Sequence, residues 1–221
     1  MIAIAIDGPA GAGKSTLARR IAAELGFIYV DTGALYRTVA LYLLRRAISA
    51  EETERVEAAL ADLQVDIRFE QGVQQVYLNG ERVSDRIRTP EVSMMASSAS
   101  ALPCVRRFLL EQQRQMARTH NVVMDGRDIG TVVLPDARVK IFLTASSEER
   151  ARRRFEELIE KGERVTLEEV LRDMKQRDAQ DEGRAVAPLR PAPDAIRVDT
   201  TGETLEQSTD RIANIIRQHM E

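Results

Sequence analysis

Gly8-Pro9-Ala10-Gly11-Ala12-Gly13-Lys14-Ser15 sets glycines, a lysine and a hydroxyl at the spacing with which a chain wraps around phosphate, the Walker A pattern. The glycines let successive backbone N–H groups curl toward an anion, and a helix opening here adds its partially positive N-terminus. Lys14 then reaches the β and γ oxygens of a triphosphate, and Ser15 Oγ can ligate Mg²⁺. Expected ATP contacts run from Gly8 to Thr16, the residue that follows Ser15.

Three further segments carry usable chemistry. In Asp31-Thr32-Gly33-Ala34-Leu35-Tyr36-Arg37, Asp31 or Thr32 can cap a helix, and Arg37, one turn along, can point at a phosphate. Val122-Val123-Met124-Asp125-Gly126-Arg127-Asp128 ends an apolar run in two acids flanking an arginine. Asp125 stands where a carboxylate would hold Mg²⁺ through water, and Arg127 and Asp128 would face the same crevice. Arg177, Asp181 and Arg184 recur at i, i+4 and i+7, hence along one helical face, where the alternative is a surface salt-bridge ladder.

The elements that must position these residues are legible in the apolar periodicity. Ile2 to Ile6 is an all-apolar run of the kind buried on both faces of a parallel sheet. Leu17, Ala18, Ile21, Ala22 and Leu25 recur at helical spacing before Gly26; Phe27 to Val30 reads as a second strand and Ala34 to Ala47 as a helix, completing a βαβ unit. From about 50 to 100 the character changes. Val65 to Phe69 alternates with period two, Asn79-Gly80 signals a type I′ hairpin, and Thr89-Pro90-Glu91 opens a helix, so this stretch reads as a small inserted lobe. The βα pattern resumes with a helix from Val105 to Arg118 and strands at Val122–Met124, Val139–Leu143 and Ile196–Val198, for five parallel strands. Ser146 to Gly183 reads as two charged helices separated near Gly162, followed by a proline-rich connector at 187–193.

Composition narrows the function classes. The 221 residues carry 32 basic against 35 acidic side chains, net charge -3, which argues against a surface built to neutralise a nucleic-acid backbone. Only four of the basic residues are lysines (Lys14, Lys140, Lys161 and Lys175), an imbalance that fits planar recognition of phosphate or a plain compositional bias. Cys104 is alone and can form no internal disulfide; a reducing, cytoplasmic setting fits, and no segment reads as membrane-spanning or targeting. No Asn-Lys-x-Asp segment exists to read guanine, so a GTPase is disfavoured, and Asp199-Thr200-Thr201-Gly202 is a chance match to a switch pattern.

Together with Asp-Gly-Arg-Asp-Ile-Gly-Thr-Val-Val, Val-Lys-Ile-Phe-Leu-x-Ala-Ser-Ser-Glu-Glu-Arg-Ala and Arg-Ala-Val-Ala-Pro-Leu, these blocks resemble the bacterial cytidylate kinases from about residue 2 to the last helix. The resemblance implies an α/β, three-layer P-loop fold with a five-stranded parallel sheet. It divides a single domain into a core (1–50, 99–145 and 185–221), an antiparallel insert for the nucleoside monophosphate (about 51–98) and a mobile helical lid (about 146–184). It implies transfer of the ATP γ-phosphoryl group, with Mg²⁺, to CMP or dCMP in pyrimidine metabolism. Thr32 would stand where the family usually has serine, Arg37, Arg127 and Arg184 would hold the acceptor phosphate, and Ser97, Arg106 and Asp128 would read cytosine. Arg177 and Asp181 would lie near the sugar, Arg150 and Arg154 near the donor phosphates, and Lys14, Arg127, Arg177 and Arg184 would form the catalytic set. The expected partners are these nucleotides, without nucleic acid or membrane, and the expected state is a monomer. Alternatives are a P-loop kinase for UMP or a shikimate-like alcohol, and a non-catalytic ATP-gated switch.

Overall fold

The computed structural model describes residues 1–160 and 162–220. β1 (Ala3–Asp7) enters the glycine loop, α1 (Lys14–Leu25) leaves it, and β2 (Ile28–Asp31) and α2 (Thr32–Arg45) complete the first βαβ unit. The second helix begins two residues earlier than the apolar periodicity indicates, because the Asp31 side chain accepts a hydrogen bond from Ala34 N at 2.9 Å and draws Thr32 into the first turn.

The inserted stretch contains α3 (Thr53–Leu60), a short helix the sequence reading did not separate from its surroundings, then β3 (Val65–Glu70), β4 (Val73–Leu78) and β5 (Glu81–Arg82) as an antiparallel sheet. Asn79 and Gly80 both have positive φ, 46° and 83°, as a type I′ turn between β4 and β5 demands. α4 (Pro90–Ala99) starts where Thr89 Oγ1 accepts from Val92 N. Then come α5 (Pro103–Thr119), β6 (Val122–Gly126), a π-helical turn at Ile129–Val133, β7 (Val139–Thr144), α6 (Ser147–Glu160), α7 (Leu167–Glu182), β8 (Ile196–Asp199) and α8 (Leu205–Met220).

Five parallel strands form one sheet in the order β2-β6-β1-β7-β8. Aliphatic layers cover both faces. Ile4, Ile6, Leu17, Ile21, Leu143 and Ile212 pack on one side, and Ala5, Val30, Met124 and Ile129 on the other. A third buried cluster runs from Leu35, Val39 and Leu43 of α2 through Val76 and Val92 of the insert to Leu109 of α5. Register brings the acids to the carboxyl edge of the sheet: Asp7 lies opposite Gly126, and Asp125 opposite both Ile6 and Asp31. Ligands of parallel α/β sheets bind outside that edge. Among the described residues, no helix is long and apolar enough to cross a membrane.

One helical expectation is corrected. α7 stops at Glu182, so Arg184 follows Gly183 in a loop and does not continue the helical face of Arg177 and Asp181. Its guanidinium nevertheless turns back onto Asp181.

Candidate functional site

The glycine loop crosses the end of β7 so closely that a Cβ on Gly8 would lie 1.9 Å from the Leu143 carbonyl oxygen; only glycine fits there. Lys14 is buried and its Nζ donates to the Pro9 carbonyl at 2.7 Å. Burial, followed by the Arg127 charge, holds the Lys14 ammonium well below its ordinary pKa, and a bound polyanion would relieve that shift. Ser15 Oγ donates to Asp125 Oδ2 at 2.8 Å and Tyr29 OH to Asp125 Oδ1 at 3.0 Å. Burial, and then the neighbouring Asp31, raises the Asp125 carboxyl above its usual range.

Ser15 Oγ and the Asp125 carboxylate have the chemistry to hold Mg²⁺. A hydroxyl and a carboxylate within hydrogen-bond reach of each other are hard oxygen donors, and a buried carboxylate held in its unfavoured protonation range gains from a nearby cation. The residues present suit an ion that arrives with nucleotide phosphates and keeps several waters.

Asp7 closes β1 just before the loop. Its two oxygens accept from Ile129 N and Gly130 N, at 2.8 and 2.7 Å, and so hold the turn after Asp125-Gly126-Arg127-Asp128. Burial pushes its carboxyl up to about 7, against the pull of those two N–H donors. A folded pKa above the unfolded value means that the folded chain keeps a proton the unfolded chain has released between pH ~4 and ~7. Asp7 therefore contributes less stability as pH rises through that window. Asp7→Ala is expected to lose stability, and urea unfolding should show the deficit shrinking from pH 5 to pH 8; a deficit that grows would contradict the role of burial.

Asp181 is 1% exposed and accepts from Arg127 Nε at 2.8 Å with one oxygen and from Arg184 with the other. Burial opposes its ionisation, but the charges of Arg127, Arg184 and Arg177 hold its pKa below the usual carboxylate value. Arg177 is pulled down to about 10 by burial and by Arg127, and its Nε is buried with no hydrogen-bond partner. Arg37 Nη1 is likewise buried with no hydrogen bond, 3.6 Å from Asp31 Oδ2. Buried guanidinium nitrogens without a hydrogen bond have capacity to donate to an anion. Thr32 Oγ1 spends its proton on the Asp125 carbonyl at 2.7 Å and retains only acceptor capacity.

Arg106 and Asp128 form a buried ion pair, with Arg106 Nη1 also donating to the Ser100 carbonyl at 3.0 Å and its guanidinium 5.6 Å from the centre of the Tyr36 ring. Ser97 hydroxyl donates to Gln180 Oε1 at 3.4 Å, which links α4 to α7. The charged triplet ending β6 therefore splits: Arg127 turns to Asp181 and Asp128 to Arg106. Arg150 is buried and bridges α6 to the glycine loop, donating to Ala10 O at 2.9 Å and to Asp178 Oδ2 at 2.6 Å. Arg154 is not joined to it there, being paired with Glu157 Oε2 at 2.7 Å. Arg153, one residue earlier, instead places Nη1 3.9 Å from where a Gly13 Cβ would be. Tyr36 and Asp7 sit in or beside motifs and carried a signal; Tyr29, Arg88, Arg153 and Gln180 carried none, since only the tertiary fold brings them in.

A family model described as cytidylate kinase matches residues 4–218. The chain is 51% identical over 220 residues to the cytidylate kinase of Caldanaerobacter subterraneus subsp. tengcongensis, covering 99% of this chain and 96% of that one. It is 52% identical over 218 residues to the cytidylate kinase of Desulfitobacterium hafniense, covering 99% and 94%. Among solved structures, an uncharacterized protein from Eubacterium ventriosum superposes with a TM-score of 0.54 at 14% identity, covering 98% of this chain and 99% of that one, a likeness of fold alone.

Proposed function

The chain belongs to the cytidylate kinase family, and from that premise we infer that it transfers the γ-phosphoryl group of ATP to the 5′-phosphate of CMP or dCMP. The observation that carries this reading is the convergence of Arg37, Arg127, Arg177 and Arg184 at the sheet edge that also holds the glycine loop. Such an arrangement can hold two polyanions close together.

An oxygen of the acceptor phosphate attacks the γ-phosphorus, a new P–O bond forms, and the bond to the β-phosphate oxygen breaks to release ADP. The attacking group is already an anion, so no strong general base is required, and positioning and charge neutralisation dominate. Lys14 and the loop N–H groups hold the donor; Arg127 and Arg184, fixed by Asp181, face the acceptor phosphate. Mg²⁺ bound with the triphosphate would be held by Ser15 Oγ and Asp125 and would supply further neutralisation. Asp128 can accept from the exocyclic amine of cytosine while Arg106 and Ser97 donate to its carbonyl oxygen and ring nitrogen, and Asp181 can accept from a sugar hydroxyl. The side-chain pairing at Arg106–Asp128 supports a base reader over a plain alcohol site. The protein acts as a monomer on free cytoplasmic nucleotides and takes no nucleic acid.

A coupled ADP-release assay across CMP, dCMP, UMP, AMP, GMP and shikimate tests this. CMP or dCMP is expected to give kcat/KM at least about tenfold above the others. A higher value for UMP or shikimate overturns the base assignment, and ATP binding without ADP release on any acceptor favours a nucleotide-gated switch.

A further inference from the structure

Asp31 is the most heavily shared carboxylate at the sheet edge. One oxygen caps α2 through Ala34 N; the other accepts from Arg88 Nη2 of the insert at 3.0 Å and lies 3.6 Å from Arg37 Nη1. The two arginines thus compete for one oxygen, and Arg88 makes the hydrogen bond. The backbone of Asp31 is gripped from the same side, since its N–H donates to Gln74 Oε1 at 2.8 Å and its carbonyl accepts from Gln74 Nε2 at 3.2 Å. Gly33 makes room for the arrangement: a Cβ there would lie 3.1 Å from Asp31 Oδ1 and 3.2 Å from Arg37 Nη2.

We propose that Arg88 is a positioning residue for the acceptor phosphate: by taking the Asp31 hydrogen bond it leaves the buried Nη1 of Arg37 without one and free to donate to that phosphate. This rests on the cytidylate kinase reading of the site. A carboxylate only 7% exposed cannot remain uncompensated, so loss of Arg88 leaves Arg37 as the available guanidinium. Arg37 already lies at ion-pair distance, and closing 3.6 Å to hydrogen-bond distance then commits to Asp31 the nitrogen that would otherwise bind phosphate. Arg88 is itself half exposed, and its effect on the phosphate comes through what Arg37 is left free to do.

The test is a cycle of Arg88→Ala, Asp31→Asn and the double variant, read as KM for CMP, KM for ATP and calorimetric CMP affinity. Arg88→Ala is expected to raise KM and Kd for CMP about tenfold with KM for ATP nearly unchanged, the size of one lost charge-assisted hydrogen bond. Asp31→Asn keeps the capping oxygen on Ala34 N but removes the charge that captures Arg37, so the double variant is expected to return to within about threefold of wild type. If Arg88 merely tethered the insert, removing its partner would rescue nothing. Wild-type CMP parameters in Arg88→Ala, or a double variant as weak as the single one, overturn the proposal and leave the kinase reading intact. Absence of both CMP turnover and CMP binding in the wild type overturns the two together.

Discussion

Arg127→Ala and Arg184→Ala are each expected to lower kcat/KM for CMP by about a hundredfold or more, ~3 kcal/mol of transition-state stabilisation. Each guanidinium is fixed through Asp181, which sits almost fully buried between them with one oxygen committed to each. Fixed forks need no reorganisation when charge moves onto the transferred group, which is where donors of this kind earn their catalytic value. Truncating one also leaves an Asp181 oxygen short of a partner, so some loss of stability is expected alongside the kinetic loss. Thermal unfolding and single-turnover rates at a temperature well below both melting points separate the two effects. Unchanged kinetics in both variants would remove the arginine clamp from the mechanism.

Lys14→Ala is expected to cost about a thousandfold in kcat/KM for ATP, ~4 kcal/mol, in line with loss of a strong transition-state donor. Lys14→Arg should rescue little. The ammonium lies buried against the Pro9 carbonyl at 2.7 Å in a loop sized for a compact point charge, and a planar fork has no room to present its donors there. Lys14 is held well below its ordinary pKa by burial, so its charge depends on what is bound beside it. Activity of Lys14→Arg within tenfold of wild type would show that charge alone, without that fit, suffices.

The local parts of this site were legible because local chemistry dictates them. A glycine loop between an aliphatic strand and an amphipathic helix has one reading, and Asn79-Gly80 takes the two positive φ values that its composition allows. Strand count followed from apolar runs that only a doubly covered parallel sheet would bury. What escaped depends on separations that periodicity does not report. Arg88 meets Asp31 across 57 positions and Asp7 meets Gly130 across 123. The regular spacing of Arg177, Asp181 and Arg184 implied one helix face, yet Gly183 ends the helix and the contact is made by a loop turning back. On α6, the family resemblance pointed to Arg150 and Arg154; Arg150 and Arg153 lie beside the loop, while Arg154 is paired with Glu157. The π-helical turn after β6 also left no trace in spacing, its anchor being the distant Asp7 carboxylate.

The place of β1 in the sheet has a consequence for how the chain is made. Its Ala3 pairs with Val122 and its Ile4 with Val139, so this strand finds neither neighbour until more than a hundred further residues have been made. At typical ribosomal speeds that wait is on the order of ten seconds, during which an aliphatic, β-branched segment stands unpaired. Refolding should accordingly be slow for a chain of this size, and nascent fragments ending before β7 should depend on chaperones to avoid edge-to-edge association.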